Sequence, residues 1–119
     1  MIKREYIVFE KSNGEKDLAV SVDMKNGDIL GSFLYSEVGS FEDWIREHFD
    51  KVLTGKSKLE ELSGNICRLE IGPDNTRVYD MLDDEADEEP FCEVNTGELM
   101  ELIGEWCAKR RSFKETCRI

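Results

Sequence analysis

The chain has 119 residues, 39% of them apolar and 36% charged, which is enough apolar material for the core of one domain beneath a heavily solvated surface. Its formal net charge is −11, from 27 acidic and 16 basic residues, and so negative a surface repels nucleic-acid phosphates and anionic lipid headgroups. Direct binding to nucleic acid or to a membrane is therefore disfavoured, and a basic protein is the better partner unless the charge serves solubility alone.

The first third of the chain predicts a β-meander. Residues 4–12 are rich in β-branched and aromatic side chains, and residues 16–24 alternate apolar with polar ones, so each run predicts a strand. Asn13-Gly14 and Asn26-Gly27 are typical of two-residue hairpin turns. A third strand is then expected from Asp28 to Tyr35.

An amphipathic helix is predicted next, from Ser40 to a terminating Gly55. Its apolar face is expected to hold these side chains: Phe41, Trp44, Ile45, His48, Phe49, Val52 and Leu53. Residues 56–64 are expected to form a polar connection in which Leu59 and Leu62 pack inward.

The second half predicts further strands and a second helix. Strands are expected over residues 65–71 and 76–82, with a short edge strand at 91–94. A helix from Thr96 to about Arg111 and a frayed tail over 112–119 follow. The order βββ-α-ββ(β)-α predicts a single α+β domain over residues 1–119, in which two amphipathic helices pack on one face of an antiparallel sheet of five or six strands.

The N-terminus and the cysteines favour a cytoplasmic protein. The start, MIKREYIVFE, lacks the apolar segment of a secretory signal, and no stretch is long and apolar enough to span a membrane. The cysteines (Cys67, Cys92, Cys107 and Cys117) show no CxxC spacing and no neighbouring histidine, so we expect free thiols, no metal site and no cofactor.

His48, the single histidine, leaves two interpretations open. It is either a general base with a carboxylate partner, or a side chain at the edge of the core with a local hydrogen bond, which we favour. The sequence has no nucleophile elbow, phosphate-binding glycine loop or zinc-hydrolase helix. We therefore expect no enzymatic activity and no small-molecule substrate.

The acidic segment between Asp80 and Pro90 is the most specific feature of the sequence. It contains no basic residue, and its carboxylates belong to Asp83, Asp84, Glu85, Asp87, Glu88 and Glu89. It is a solvated loop without a role, a calcium site, or a surface that attracts a basic partner; the order and glycine of an EF-hand loop are missing. We hypothesise that these carboxylates bind a partner and that Phe91 supplies an apolar anchor.

A family resemblance rests on these sequence runs: GDILGSFLYSEV, SFEDWIREHFDKVLTG, GKSKLEELSGNICRLEIGPDNTRVYDML and, after the acidic segment, EVNTGELMELIGEW. In layout, residues 5–108 resemble the small acidic immunity proteins of bacterial contact-dependent growth inhibition and related polymorphic toxin systems. The resemblance implies a cytoplasmic, non-enzymatic protein that binds and neutralises a cognate basic toxin domain, often a nuclease that cleaves transfer RNA. The alternatives are an acidic adaptor with another basic partner and a small enzyme that uses His48.

Overall fold

The computed structural model describes residues 2–64, 66–81 and 90–116, apart from the side chains of Ser40 and Thr116. The elements in these ranges are β1 (Arg4–Glu10), β2 (Lys16–Val22), α1 (Gly27–Ser32), a π-helical turn (Phe33–Val38), α2 (Gly39–Leu53), β3 (Glu60–Ser63), β4 (Cys67–Ile71), β5 (Asn75–Asp80), β6 (Phe91–Asn95) and α3 (Thr96–Thr116). The predicted α+β class with antiparallel strands is confirmed. None of the described helices combines the length and the apolar character needed to cross a membrane.

The strands form two antiparallel sheets rather than one. β1 and β2 make a hairpin, and β3, β4, β5 and β6 make a second sheet in chain order. The hairpin loop has three residues, 12–14, instead of the predicted two, and it uses Gly14 at φ +87°, a conformation that glycine adopts without strain. β6 lies at an edge, as predicted, whereas β3 occupies part of the predicted polar connection, with Leu62 buried and Leu59 exposed.

The predicted third strand is wrong, because residues 28–35 are helical. Four apolar side chains of this segment lie on one helical face and are buried: Ile29, Leu30, Phe33 and Leu34. Asn26 keeps the left-handed φ of +58° expected of a tight turn, but it begins α1 instead of a hairpin. The order therefore has two strands, and not three, before the first helices.

Glycines at Gly27 and Gly31 explain why α1 takes the place of a third strand. A Cβ added at Gly31 would lie 2.8 Å from the backbone oxygen of Val20, and one added at Gly27 would overlap the backbone oxygen of Val22. Both glycines therefore bring α1 directly against the edge of β2 where a third strand would have paired. α1 covers that edge.

α2 begins at Gly39, continuous with the π-helical turn, and has a local kink at Phe41 (φ −129°, ψ 32°). Gly55, at φ +82°, follows its end, as the sequence predicted. Ile45, Phe49 and Val52 are buried against the core, whereas three residues expected on the same face are exposed: Phe41, Trp44 and Leu53.

α3 is longer than predicted. It begins at Thr96, where the Asn95 side chain caps it by accepting a hydrogen bond from the Glu98 backbone N–H at 3.0 Å. It continues through Thr116, so residues 112–116 belong to the helix and not to a frayed tail, and Phe113 packs against the core. Residues 117–119 lie outside the described ranges.

A buried polar cluster joins β2, the π-helical turn and α3. Asp17 accepts hydrogen bonds from the Tyr35 hydroxyl at 2.5 Å and from the Leu18 backbone N–H at 2.8 Å. Burial alone would raise the pKa of Asp17, but these hydrogen bonds outweigh it and hold the pKa of that carboxyl below its usual range. Arg110 of α3 donates to the backbone oxygen of Tyr35 at 3.2 Å.

Replacing Gly31 by alanine tests the contact between α1 and β2. Alanine normally stabilises a helix by about 1 kcal/mol relative to glycine, but at this position its Cβ would press on the Val20 backbone oxygen. We expect Gly31→Ala to lower the free energy of unfolding by about 1–3 kcal/mol in urea titrations. Gly104→Ala in α3 is the matched control, because its Cβ would meet nothing closer than an Arg46 side-chain nitrogen at 3.8 Å; stabilisation by both variants would contradict this account.

Candidate interaction surface

The acidic segment is predicted to bind a partner, with Phe91 as its apolar anchor. Asp83, Asp84, Glu85, Asp87, Glu88 and Glu89 all lie outside the described residues. Phe91, the predicted anchor, is described and begins β6. Its half-buried ring lies 5.4 Å from the Tyr79 ring, and the Arg77 guanidinium carbon lies 4.8 Å from its centroid. Part of the Phe91 ring is therefore already in contact with other side chains of the sheet.

On the face of the second sheet around Phe91, arginine side chains form ion pairs with neighbouring glutamates. The Arg68 guanidinium lies 4.0 Å from the Tyr79 ring centroid and donates to Glu70 at 2.9 Å. Arg77 donates to Glu93 of the neighbouring strand at 3.3 Å. The Arg68–Glu70 and Arg77–Glu93 pairs offset each other's charges, while Glu61 of β3 faces Glu70 and adds one further carboxylate to this face.

A different surface, on α2, combines exposed aromatic rings. Phe41, Trp44 and His48 form a column in which the rings of Phe41 and Trp44 meet edge to face at 6.1 Å, and those of Trp44 and His48 at 5.4 Å. Phe41 is 38% exposed and Trp44 is 41% exposed. Tryptophan is highly buried on average in folded proteins, and it is one of the residue types enriched among the anchors of protein interfaces.

Three carboxylates lie on the outer side of α2 beside this column. Asp43, Glu47 and Asp50 are all exposed and follow one another at helical spacing. In the part of the chain that the structure describes, no ion pair involves them, whereas Glu42 pairs with Arg46 at 3.2 Å on the other flank. We call Phe41, Trp44, Asp43, Glu47 and Asp50 the α2 surface.

A groove of about 500 Å³ runs beside the aromatic column. It is lined by Gly39, Phe41, Glu42, Asp43, Trp44 and Arg111. The α2 surface thus offers apolar ring faces next to a concave space with carboxylates at its margin and Arg111 in its lining. Arg46, Lys51 and Lys56 lie beside the same carboxylates. Such an arrangement suits a partner that brings both an apolar side chain and basic groups.

In the sequence, the width of the apolar stripe on the helix after Ser40 indicated that some of its apolar side chains would be exposed. A helix turns by about 100° per residue, so the side chains predicted on one apolar face, from Phe41 to Leu53, span about half of the circumference. A helix that packs on one core needs a stripe only a little wider than about 100°. The residues at the two margins of the stripe, Trp44 and Leu53, are exposed, and Phe41 is exposed at the kink in α2.

His48 lies at the edge of the core beside a carboxylate, an arrangement that both interpretations of this residue allow. Its side chain is half buried, and its Nδ1 lies 3.4 Å from Oε1 of Glu60. Lys51 reaches the same Glu60 oxygen at 3.9 Å. The histidine therefore shares a local polar contact between α2 and β3.

Replacing His48 by glutamine measures this contact. Glutamine keeps a donor near Glu60 but loses the ring contact with Trp44, so we expect the free energy of unfolding to change by less than about 1 kcal/mol. A double-mutant cycle with Glu60→Gln should give a coupling energy of similar size. A coupling of several kcal/mol would contradict a peripheral role.

The described cysteines are buried and free: Cys67, Cys92 and Cys107. Burial raises the pKa of the Cys67 thiol to about 12 and those of Cys92 and Cys107 to about 11. These thiols stay protonated at neutral pH and behave as small apolar side chains. Among the described residues, no group of histidine, cysteine, aspartate and glutamate side chains is arranged to hold a metal ion.

Comparison with known proteins gives a match over most of the chain. The chain is 38% identical over 104 residues to a curated Bacillus cereus protein named "Immunity protein", and the match covers 87% of this chain and 86% of that one. No family model matches the chain, and no solved structure matches it.

Proposed function

The chain belongs to the family of this bacterial immunity protein, and we propose on that basis that it binds a cognate toxin domain and neutralises it without catalysing a reaction. The observation that carries the proposal is the extent of the match, which covers 87% of this chain and 86% of the relative. The acidic composition and the surface of α2 support it independently, because both suit binding to a basic protein.

We further propose that the toxin is a basic nuclease, delivered by contact-dependent growth inhibition. A nuclease needs a positive cleft to hold the phosphates of its substrate. A protein with a net charge of −11 is attracted to such a cleft, or to the surface beside it, and can exclude the nucleic acid from it. The layout of residues 5–108, which resembles the immunity proteins of these systems, supports the same assignment.

The α2 surface supports binding by two separate effects. The carboxylates of Asp43, Glu47 and Asp50 attract and orient a basic partner over a long range, which raises the association rate. Burying the Phe41 and Trp44 rings on contact slows dissociation, since desolvated aromatic side chains carry much of the binding energy of interfaces. The acidic segment, with Phe91 beside it, is proposed as a second part of the same interface.

The direct test of the function uses a candidate toxin domain, identified from the genes adjacent to the one that encodes this chain. We expect a stable complex in calorimetry, loss of toxin activity in the complex, and survival of cells that produce the toxin together with this chain. Absence of both binding and protection would reject the proposed function. Binding and protection with a toxin that is not a nuclease would reject only the assignment to nucleases.

Substitutions on α2 separate the two effects. Trp44→Ala should raise the Kd about thirtyfold or more, mainly through faster dissociation, because truncating such an anchor costs about 2 kcal/mol or more. Neutralising Asp43, Glu47 and Asp50 together should slow association and flatten its dependence on salt, with little change in dissociation. Stopped-flow and surface-plasmon measurements follow both rates.

Matched controls exist for both variants. Leu53→Ala removes an apolar side chain of similar exposure, 45%, from the opposite flank of α2, and should leave both rates unchanged. Neutralising the exposed Glu5, Glu15 and Asp23 alters the net charge by the same amount on and beside the hairpin. If these controls weaken binding as much as the α2 variants do, the α2 surface is not the interface. Neutralising the acidic segment in the same assay shows whether it shares the interface.

A further inference from the structure

Among the described strands, β1 has a partner on one side only. It pairs with β2, and within the described ranges no strand pairs with its outer edge. The strand, REYIVFE, contains neither proline nor glycine, and Ile7 and Val8 are 44% and 56% exposed. An exposed strand edge is a template for pairing with another strand unless charges, a bulge or a covering element prevent it, and the charged residues of β1 stand at its two ends, at Arg4, Glu5 and Glu10. The other edge of the hairpin has such a cover, α1, at Gly27 and Gly31.

The backbone groups on the outer edge of β1 follow from the register of the hairpin. Lys3 accepts a hydrogen bond from the Asp23 N–H at 2.9 Å, and Lys11 donates one to Glu15 at 2.7 Å. Since hydrogen-bonded and non-bonded residues alternate along an antiparallel strand, the odd-numbered residues of β1 bond to β2. The peptide groups of the even-numbered residues, Arg4, Tyr6, Val8 and Glu10, therefore point outward.

The sequence of β1 is complementary to itself in the antiparallel direction. With a two-fold axis at Ile7, Arg4 faces Glu10 of the other strand, Tyr6 faces Val8, and Ile7 faces its own copy. In this register each outward-facing residue meets another outward-facing residue. Oppositely charged pairs and pairs of an aromatic with a β-branched residue are favourable across strands. Shifting the register by two residues would place Tyr6 against Tyr6 or Val8 against Val8 and would separate Arg4 from Glu10.

The groove beside the outer edge of β1 is lined by basic side chains and suits a carboxylate from a second copy of the chain. It is open to solvent, has a volume of about 560 Å³, and is lined by Ile2, Lys3, Arg4, Tyr6, Glu105 and Lys109. Arg4 donates to Glu105 at 2.7 Å, and the Lys109 ammonium lies 4.7 Å from the Tyr6 ring centroid. The groove thus has three basic groups and one carboxylate in a strongly acidic protein. Glu10 of a second strand in the Ile7-centred register would supply the missing negative charge.

We propose that a second copy of this chain pairs with β1 through this edge, giving a symmetric dimer with a continuous four-stranded sheet. The inference rests on β1 and is independent of the proposed function and of the α2 surface. Long-range repulsion between copies of charge −11 opposes the association, and salt screens it. The dimer should therefore be measured at about 0.15 M salt and above.

Sedimentation equilibrium of the full chain and three variants tests the proposal. The wild type should form a dimer, and Ile7→Lys, which places like charges together at the axis, should raise its Kd by at least about tenfold. Val8→Pro removes an outward N–H at an edge position where proline is tolerated, and should have the same effect. Leu53→Lys, at a site of similar exposure on α2, should leave the dimer intact.

A mixture of two charged variants tests the register itself. Copies with Ile7→Lys and copies with Ile7→Glu should each be monomeric alone and should form a heterodimer when mixed, because the opposite charges then face each other. A monomeric wild type at every concentration, a dimer unaffected by Ile7→Lys and Val8→Pro, or a mixture that stays monomeric would each overturn the proposal. If the wild type is monomeric and Val8→Pro instead weakens toxin binding, the edge serves the toxin and the second-copy proposal fails.

Discussion

The buried carboxylate of Glu37 links the two halves of the structure. It is 2% exposed, lies in the π-helical turn just before α2, and accepts a hydrogen bond from the Ile66 backbone N–H at 2.7 Å in the connection between β3 and β4. Gly64 leaves the space that this carboxylate occupies. Because α2 follows directly and buries Ile45, Phe49 and Val52, its rotation about its own axis is set by the core. That rotation turns Trp44 and the row of carboxylates outward, so the proposed toxin-binding surface depends on how the core is packed.

The surface on α2 and the groove along β1 differ in the side chains that they expose. The α2 surface offers aromatic rings beside carboxylates that have no ion-pair partner among the described residues, whereas the groove along β1 is lined mainly by basic groups. Arg46, Lys51 and Lys56 lie beside the α2 carboxylates, so the proposed attraction of a basic toxin to this face depends on where Asp43, Glu47 and Asp50 lie and not on a lack of basic groups. On this account, Arg4 and Lys109 serve association of the chain with itself, and α2 serves the toxin.

Local signals predicted the parts of the fold that depend on neighbouring residues. The first hairpin, β4, β5, the edge strand β6 and the start of α3 follow from tight-turn sequences, alternation and capping. The helical state of residues 28–35 did not follow, since it depends on Gly27 and Gly31 meeting the edge of β2, a tertiary contact. The sequence placed Trp44 on the apolar face of the predicted helix after Ser40. That apolar face was too wide for all of its side chains to be buried, and Trp44 is exposed. The resemblance to bacterial immunity proteins is confirmed by the Bacillus cereus relative, while the nature of the toxin and the role of the acidic segment stay predictions.

The two tryptophans allow the most direct test of the central claim, that the toxin binds against α2. Trp44 is 41% exposed and Trp106 is fully buried, so fluorotryptophan labelling of this chain gives one exposed and one buried 19F NMR probe. On titration with the unlabelled toxin domain, we expect the Trp44 resonance to shift and to lose its sensitivity to solvent isotope, while the Trp106 resonance stays in place. A saturated complex in which the Trp44 resonance keeps its position and its solvent sensitivity would contradict the account.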